Sequence, residues 1–324
     1  MSTTQYLTKD EVGILLTAAA HAPSMHNAQP WRFDIQDSVI DVLRDAERTL
    51  PAADPAGRMT CVGLGAAAFN LRVAAALLGH ETTLAFEPDP AVPAVAVRVF
   101  LAERRVPVPG LSSLYSEVGR RHTYRGPMLD TPVPPEARQR LTAAAQAEGA
   151  QLHWLDGHQR TELSRILGIA NERDVHDEDR LHERMHWIGG ERDGDGVPDT
   201  ALGPRAEAPA AVRDLGAGFD RADRGSAVFE RKPAIAVLTT VAEDSHAWIR
   251  AGLALQHVLL TASSYDLGTS FLNQALEYAD LRDEVRQLTG HTTWPQLIIR
   301  CGYPAHSSDH APRRPWQATL GEWH

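Results

Sequence analysis

The feature that most constrains this chain is the segment from Ala22 to Phe33, which reads APSMHNAQPWRF. An apolar helical pattern precedes the segment and a β-like run follows it. Its amide side chains lie among two prolines and a tryptophan, so the backbone has few conformations available and the polar groups stay fixed. A rigid segment with several hydrogen-bonding groups suits the edge of a flat ligand with a polar rim.

Composition limits the class of partner. The chain has 324 residues, 43% of them hydrophobic, which is enough for one large domain or two ordinary ones. Its net charge of −10 argues against a sequence-independent nucleic-acid binder and against an anionic-membrane binder. Cys61 and Cys301 have no partner motif and predict neither a disulfide framework nor a cysteine metal site. We expect no signal peptide, no apolar run near the ~20 residues that span a bilayer, and a cytoplasmic protein.

Apolar periodicity predicts a mixed set of helices and strands. Helices are expected after a capping box at Thr8 and over 60–78, 111–118, 135–148, 161–183, 247–263 and 281–288. Strands are expected over 31–35, 39–43, 92–101, 150–155, 234–241 and 296–301, with a connector at 267–276. Because the two types mix without a strict βαβ alternation, an α+β fold fits better than a doubly wound parallel sheet.

The chain also contains a weak internal repeat. Gly65 opens an apolar helix that ends at Gly79, and Gly252 opens another that ends near Gly268. Each of these helices leads towards a strand. Each of the two stretches of chain that contain them begins with a helix followed by a strand with aromatic residues. The repeat predicts two similar halves packed face to face in one polypeptide, which we place at residues 1–110 and 111–324.

Several arginines occur in clusters. In the extended run from Arg121 to Arg125, residues two apart point the same way, so Arg121, Thr123 and Arg125 could converge on one phosphate. The tail pair Arg313–Arg314 is a second source of positive charge. Taken alone, each cluster, like the pair Arg104–Arg105, is more simply interpreted as solvated surface.

Taken together, these segments resemble the FMN-dependent nitroreductase superfamily. Residues 22–31 are similar to its APS-x-x-N-x-QPW signature and 121–125 to its R-x-S-x-R/K phosphate segment, while 267–270 and 299–304 resemble the loop near flavin N5 and the closing strand. The first half has the signature without the phosphate segment, and the second half has the reverse. This division, the APS-x-H-N-x-QPW variant and the P-R-R-P tail resemble the Acg-type subgroup, a fused pseudo-dimer in which a mid-chain insertion, here about 182–204, forms a lid.

The resemblance implies an FMN site formed by both halves. The implied phosphate ligands are Arg121, Thr123, Arg125, Arg313 and Arg314. The ring or ribityl chain would be contacted by Ser24, Asn27 and Gln29, with Trp31 bracing that segment. The implied backbone donors towards N5 are Thr269, Ser270 and Phe271. No catalytic side chain is expected, because the flavin itself carries the redox chemistry.

The implied activity is NAD(P)H-dependent hydride transfer through the flavin to a nitro or quinone-like, electron-poor acceptor. A monomer is expected, since the dimer would be internal. If the lid closes the site, the alternative is a protein that holds FMN with little turnover.

Two further motifs compete with this interpretation. His182, Glu183 and His186 match H-E-x-x-H on a plausible helix, as in zinc peptidases, where the histidines bind metal and the glutamate activates water. In a chain with 15 histidines this pattern arises easily by chance, so a zinc hydrolase is the weaker alternative. Residues 63–68 imitate a dinucleotide fingerprint, but no strand precedes them, which favours helix packing by small residues.

Overall fold

A computed structural model describes residues 7–87, 91–103, 110–219 and 223–323; Arg104 and Arg105 lie outside these ranges. Its helices are α1 (Lys9–Ala20), α2 (Arg58–Leu78), α3 (Tyr115–Arg120), α4 (Pro135–Ala147), α5 (Gly157–His176), α6 (Glu178–Trp187), α7 (Ser245–Ser264) and α8 (Ala279–Leu288). Its strands are β1 (Trp31–Gln36), β2 (Val39–Arg44), β3 (Thr82–Phe86), β4 (Val95–Leu101), β5 (Gln151–Trp154), β6 (Arg205–Ala206), β7 (Ser226–Ala227), β8 (Ala234–Thr240), β9 (Gly268–Phe271), β10 (Trp294–Gly302) and β11 (Leu320–Trp323). This mixed content confirms the predicted α+β fold.

Two main sheets share one connectivity. The first has the strand order β11-β1-β2-β4-β3 and the second the order β5-β8-β10-β9. The sets β1-β2-β4-β3 and β5-β8-β10-β9 are antiparallel throughout. In each set two strands precede a long apolar helix, α2 or α7, and two follow it. This correspondence supports two similar halves, whereas the fusion of a dimer and the boundaries at 1–110 and 111–324 stay predictions.

The helices α2 and α7 cross at two glycines. Gly65 and Gly252 are each the eighth residue of their helix. A Cβ atom on Gly65 would lie 2.0 Å from the carbonyl oxygen of Ile249, and one on Gly252 would lie 2.1 Å from that of Val62. Only glycine permits backbones to approach this closely. Helix packing is therefore the role of Gly65 within the fingerprint-like run.

Helix α2 is the most deeply buried element of the first half. Its length and apolar composition are sufficient to cross a membrane, a property that no other helix in the described part of the chain shares. This corrects the expectation that no segment reaches that length. The most apolar 18-residue window of α2 is 83% buried inside the structure, as in a core helix that is hydrophobic on all sides.

Strands β3, β6 and β7 were not predicted, and three further regions differ from the predicted elements. The helix expected over 161–183 is two helices, because Asp177 ends α5 and its carboxylate accepts the N–H of Arg180 to cap α6. The connector expected at 267–276 contains β9, which pairs with β10. The tail forms β11, which pairs parallel with β1 and so adds a strand from the second predicted half to the sheet of the first.

Candidate functional site

A cavity lies between the signature segment, α2, α7 and the second sheet. The space between its lining residues, open solvent at the mouth included, is about 840 Å³. Its apolar wall comes from Met59 and Val62 of α2, Leu255 of α7 and Leu297 of β10. Its polar lining residues are Ser24, His26, Thr123, Arg125, Arg213, Ser270, Asn273, Glu277 and Arg300. We call this space the apolar cavity.

A second space of about 750 Å³ adjoins the apolar cavity and shares Pro23, Ser24, Thr123 and Arg125 with it. The remaining residues that line it are His21, Asn27, Arg121, His122, His310, Ala311 and Arg313. We call it the arginine chamber. The shared residues make the two spaces neighbours, the first largely apolar and the second strongly basic.

Three guanidinium groups line the arginine chamber. Arg121 is 5% exposed, and Arg125 and Arg313 are partly buried. Burial and the charges of Arg313 and Arg125 lower the pKa of Arg121 to about 9. Burial lowers the pKa of Arg125 and of Arg313 to about 10. The positive charges of Arg313 and Arg213 contribute to the lowering at Arg125. Within the described ranges no carboxylate pairs with any of the three, so the chamber is suited to an anion.

Carbonyl groups orient these arginines. Arg121 donates to the backbone oxygen of His21 at 3.0 Å, and Arg125 donates to that of Ala201 at 2.9 Å. The Nε atoms of Arg121 and Arg313 are buried and have no partner among the described residues. These contacts fix the positive groups and leave hydrogen-bond donors available to a ligand. Arginines held in this way are more typical of a phosphate site than of a solvated surface.

The backbone around Thr123 is extended. Thr123 forms an isolated parallel bridge with Thr269, and the carbonyl of Thr269 accepts the N–H of Tyr124 at 2.8 Å. The extended backbone keeps the alternating side-chain directions that were predicted for this run. Arg121, Thr123 and Arg125 accordingly all line the arginine chamber.

Three histidines complete the chamber. The rings of His122 and His310 stack with their centroids 4.0 Å apart, and His21 lies on the same wall. Burial lowers the pKa of all three, and the positive charge of Arg121 lowers each further. The histidines are therefore neutral near pH 7 in the ligand-free protein. They were not predicted from the sequence, although His122 lies inside the phosphate-like segment.

The signature segment has a strained backbone. His26, Asn27 and Gln29 have φ angles of 52°, 56° and 53°, in the left-handed region that non-glycine residues seldom adopt. Such a conformation costs on the order of 1–3 kcal/mol at each position and persists only where surrounding contacts hold it. The sequence indicated a rigid segment but gave no sign of this conformation.

The side chains of Asn27 and Gln29 supply those contacts. The Asn27 amide donates to the backbone oxygens of Gly196 and Pro312, both at 2.8 Å, and its Oδ1 accepts from Arg313 at 2.7 Å. The Gln29 amide donates to the backbone oxygen of Gly194 at 2.7 Å, and its Oε1 accepts the N–H of Arg314 at 3.0 Å. Both side chains were expected to contact a flavin. Here they join the signature segment to the mid-chain insertion and to the tail.

The other residues of the implied site divide between the cavity wall and the interior. Ser24, Ser270 and Phe271 line the apolar cavity. Thr269 lines neither space and is occupied by its bridge to Thr123. Trp31 is fully buried in the core of the first half, in keeping with a bracing role.

The tail arginines have different surroundings. Arg313 lines the arginine chamber, but the guanidinium of Arg314 donates to the backbone oxygens of Gln29 and Ala318 and lies 3.6 Å from the carboxylate of Asp45. Arg314 therefore does not line the chamber, and its expected contact with a phosphate stays a prediction.

Two more arginines line the apolar cavity but have carboxylate partners. Arg300 is fully buried and donates to both oxygens of Glu230 at 2.6 Å. Arg213 pairs with Asp174 and Glu277. Arg300 and Arg213 are thus neutralised within the protein, in contrast to the three arginines of the chamber.

The segment predicted to form a lid, residues 182–204, packs against the signature segment. Residues Trp187, Val197 and Leu202 pack in an apolar cluster with Ala28 and Leu50, beneath the signature segment. Val212, Arg213 and Leu215 line the apolar cavity and lie downstream of the predicted lid boundaries at 182–204. The covering role of 182–204 stays a prediction.

The H-E-x-x-H motif lies on α6, but no third potential ligand joins it within the described residues. His182 and His186 are exposed. The carboxylate of Glu183 accepts the N–H groups of Ala52 and Ala53, both at 2.9 Å. No group of three or more His, Cys, Asp and Glu residues in the described ranges could hold a metal ion. Glu183 thus anchors α6 to the loop before α2, and the zinc-hydrolase alternative has no ligand set in this part of the chain.

Comparison with known proteins identifies the family. The model of the nitroreductase family matches residues 118–303. A Mycobacterium tuberculosis protein provisionally named NAD(P)H nitroreductase acg is 26% identical over 312 residues, covering 95% of this chain and 94% of its own. A second such protein from that organism, also provisionally named as an NAD(P)H nitroreductase, is 30% identical and covers 96% of this chain and 90% of its own. The structure of an NADPH:FMN oxidoreductase from Vibrio harveyi aligns with 65% of this chain and 77% of its own, with a TM-score of 0.40 and 14% identity. The chain therefore belongs to the nitroreductase family.

Proposed function

We propose that this chain binds FMN with the ring in the apolar cavity and the phosphate in the arginine chamber, and acts as an NAD(P)H-dependent oxidoreductase on nitro or quinone-like acceptors. The observation that carries the proposal is the trio Arg121, Arg125 and Arg313, which has no counter-charge among the described residues and adjoins a largely apolar cavity. The names of its M. tuberculosis relatives support the nicotinamide donor.

The donor set of the chamber fits a phosphate monoester. Guanidinium groups bind phosphate oxygens through strong charge-assisted hydrogen bonds, and the hydroxyl of Thr123 adds a neutral donor. A dianion there would offset the repulsion among the three arginines. The predicted ligands Arg121, Thr123, Arg125 and Arg313 are retained in this proposal, and Arg314 instead holds Gln29 in place.

The lining of the apolar cavity suits a planar ring. Met59, Leu255 and Leu297 would exclude water from its faces, while Ser24 and Ser270 offer hydrogen bonds at its rim. The backbone of Ser270 and Phe271 in β9 remains our proposed source of donors towards N5. Bound FMN would supply the hydride chemistry between NAD(P)H and the acceptor. The residues of the chain bind and orient the cofactor, so the reaction requires no acid/base dyad.

A second candidate function is FMN storage with little turnover. The observation that favours it is the attachment of the insertion to the signature segment, through the bonds from Asn27 to Gly196 and from Gln29 to Gly194. An ion pair of 2.7 Å between Arg48 and Asp195 strengthens the attachment. An insertion held in this way would restrict access to the cofactor.

We also propose that the protein is a cytoplasmic monomer with an internal pseudo-dimer.

Anaerobic reduction distinguishes the two candidates. The purified protein should be yellow and should release FMN rather than FAD on denaturation. If it is an enzyme, mixing with NADPH should bleach the flavin absorbance, whereas a storage protein should keep its colour. Asp195→Ala removes the ion pair to Arg48 and should accelerate bleaching several-fold if the insertion limits access. Protein that binds no flavin when mixed with excess FMN would contradict both candidates.

The histidines predict a pH dependence of FMN binding. His21, His122 and His310 have lowered pKa values in the ligand-free protein, mainly through burial. A bound phosphate would raise those values, so binding would take up protons and tighten as the pH falls. We expect FMN affinity to rise a few-fold between pH 8 and pH 7, where the phosphate remains largely a dianion because its second pKa is about 6.

Riboflavin, which lacks the phosphate, is the control for this titration and should show a flat profile. His310→Gln should flatten the FMN profile. An FMN dissociation constant that is independent of pH, or that parallels the riboflavin profile, would count against proton uptake by the histidines.

A further inference from the structure

One buried polar atom at the apolar cavity has no assigned role. His26 lines the cavity and is 6% exposed, and its Nε2 has no hydrogen-bond partner in the described part of the chain. A buried polar atom without a partner costs about 1–3 kcal/mol, so native proteins seldom retain one without a reason. A ligand in the cavity would supply the missing partner.

The backbone holds His26 in a costly conformation. Its φ angle is 52°, and histidine is among the few residue types that are enriched in this region. Contacts on both sides maintain the conformation. The Oγ of Ser24 accepts the N–H of Gln29 at 2.9 Å, and the amide of Asn27 is fixed by Gly196 and Pro312. Strain maintained in this way is characteristic of functional sites.

Burial, reinforced by nearby positive charges, keeps the imidazole neutral. Burial lowers the pKa of His26 well below its usual value, and Arg213 and Arg184 lower it further against the opposing effect of Asp174. A neutral imidazole has one N–H and one lone pair. The three arginines of the chamber are not among the main charges that act on His26. His26 lines the apolar cavity but not the arginine chamber, so it lies where the ring or the acceptor would be.

We propose that His26 recognises a polar atom at the edge of a planar ligand in the apolar cavity, through a hydrogen bond donated by its Nε2–H. The ligand chemistry is a ring that carries carbonyl or nitro oxygens. It has two possible sources, the carbonyl edge of the flavin or the oxygen of the electron-poor acceptor. This inference rests on the proposed function and assigns a specificity-determining role to a residue that the implied FMN site omitted.

His26→Leu removes the hydrogen bond and tests the proposal. If the flavin is the partner, the dissociation constants of FMN and riboflavin should rise together by about ten-fold, because the contact is to the ring. If the acceptor is the partner, flavin affinity should stay unchanged and the KM for a nitroaromatic acceptor should rise by a similar factor. His26→Gln should restore part of the loss in either case. His26→Asn, which tolerates the left-handed backbone well, provides a second variant if His26→Leu does not fold.

His291→Leu is the matched control. His291 also has a positive φ angle, 64°, but it is exposed in the turn between α8 and β10. Its variant measures the cost of leucine in this backbone region and should leave flavin binding and KM unchanged. Wild-type protein that binds no flavin would overturn the proposed function and this inference with it. Wild-type protein that binds flavin, combined with folded His26→Leu and His26→Asn variants that match its affinities and KM, would overturn the role of His26 alone.

Discussion

The double substitution Arg121→Met and Arg125→Met should produce a colourless protein whose ligand-free form is at least as stable as the wild type. Charge-assisted hydrogen bonds are each worth about 1.5–3 kcal/mol, so each arginine should account for roughly ten- to hundred-fold in FMN affinity. Both side chains are desolvated beside Arg313, and neither has a carboxylate partner within the described ranges. Replacing them with neutral side chains of similar length removes mutual repulsion in the ligand-free protein. Fluorescence titration with FMN and urea unfolding of the ligand-free protein measure the two opposite effects.

Arg120→Met is the control for this experiment. Arg120 is adjacent in sequence, but its side chain is 56% exposed and pairs with Glu117 and Asp266 at 3.0 and 2.7 Å. Its substitution should leave FMN affinity within about two-fold, since exposed ion pairs contribute little. Riboflavin should bind the double variant and the wild type equally. Wild-type FMN affinity in the double variant would show that the chamber does not hold the phosphate.

Most of the fold follows from local patterns in the sequence. The hairpin β1–β2 and the helices α2 and α7 were predictable, because each has a long or strictly periodic apolar pattern. The elements that were missed depend on partners. Strand β9 has the sequence GTSF, and strand β11 has LGEW, which contain too few apolar residues to show a period. Each becomes a strand because a neighbouring strand, β10 or β1, supplies its hydrogen bonds.

The site was predictable in its composition but not in its division of roles. The sequence brought Arg121, Thr123 and Arg125 together, because alternation in an extended segment is a local property. It could not show that Asn27 binds Gly196 and Pro312, which are 169 and 285 residues away. For the same reason it could not separate Arg313, which lines the chamber, from the adjacent Arg314. Only tertiary contacts determine which polar side chains remain available to a ligand.

Gly65→Ala should strongly destabilise the protein, although it adds only one methyl group. The new Cβ would lie 2.0 Å from the carbonyl oxygen of Ile249, so α2 and α7 must move apart along a contact that joins the cores of both halves. Overpacking of a well-packed interior costs about 1–3 kcal/mol, and a clash with backbone belongs at or above the upper limit. We expect the free energy of unfolding in urea to fall by about 3 kcal/mol or more.

Gly168→Ala is the matched control, because Gly168 is exposed within α5 and a Cβ there meets nothing within 4 Å. That change should raise stability by roughly 0.5–1 kcal/mol, since alanine favours the helix. Gly252→Ala should be as harmful as Gly65→Ala, because it disrupts the same crossing from the other side. Once one methyl group has separated the helices, the second meets less resistance, so the double variant should lose less than the sum of the single losses. Strictly additive losses would mean that the two glycines do not share one contact, and a Gly65→Ala protein as stable as the wild type would mean that the helices do not cross there.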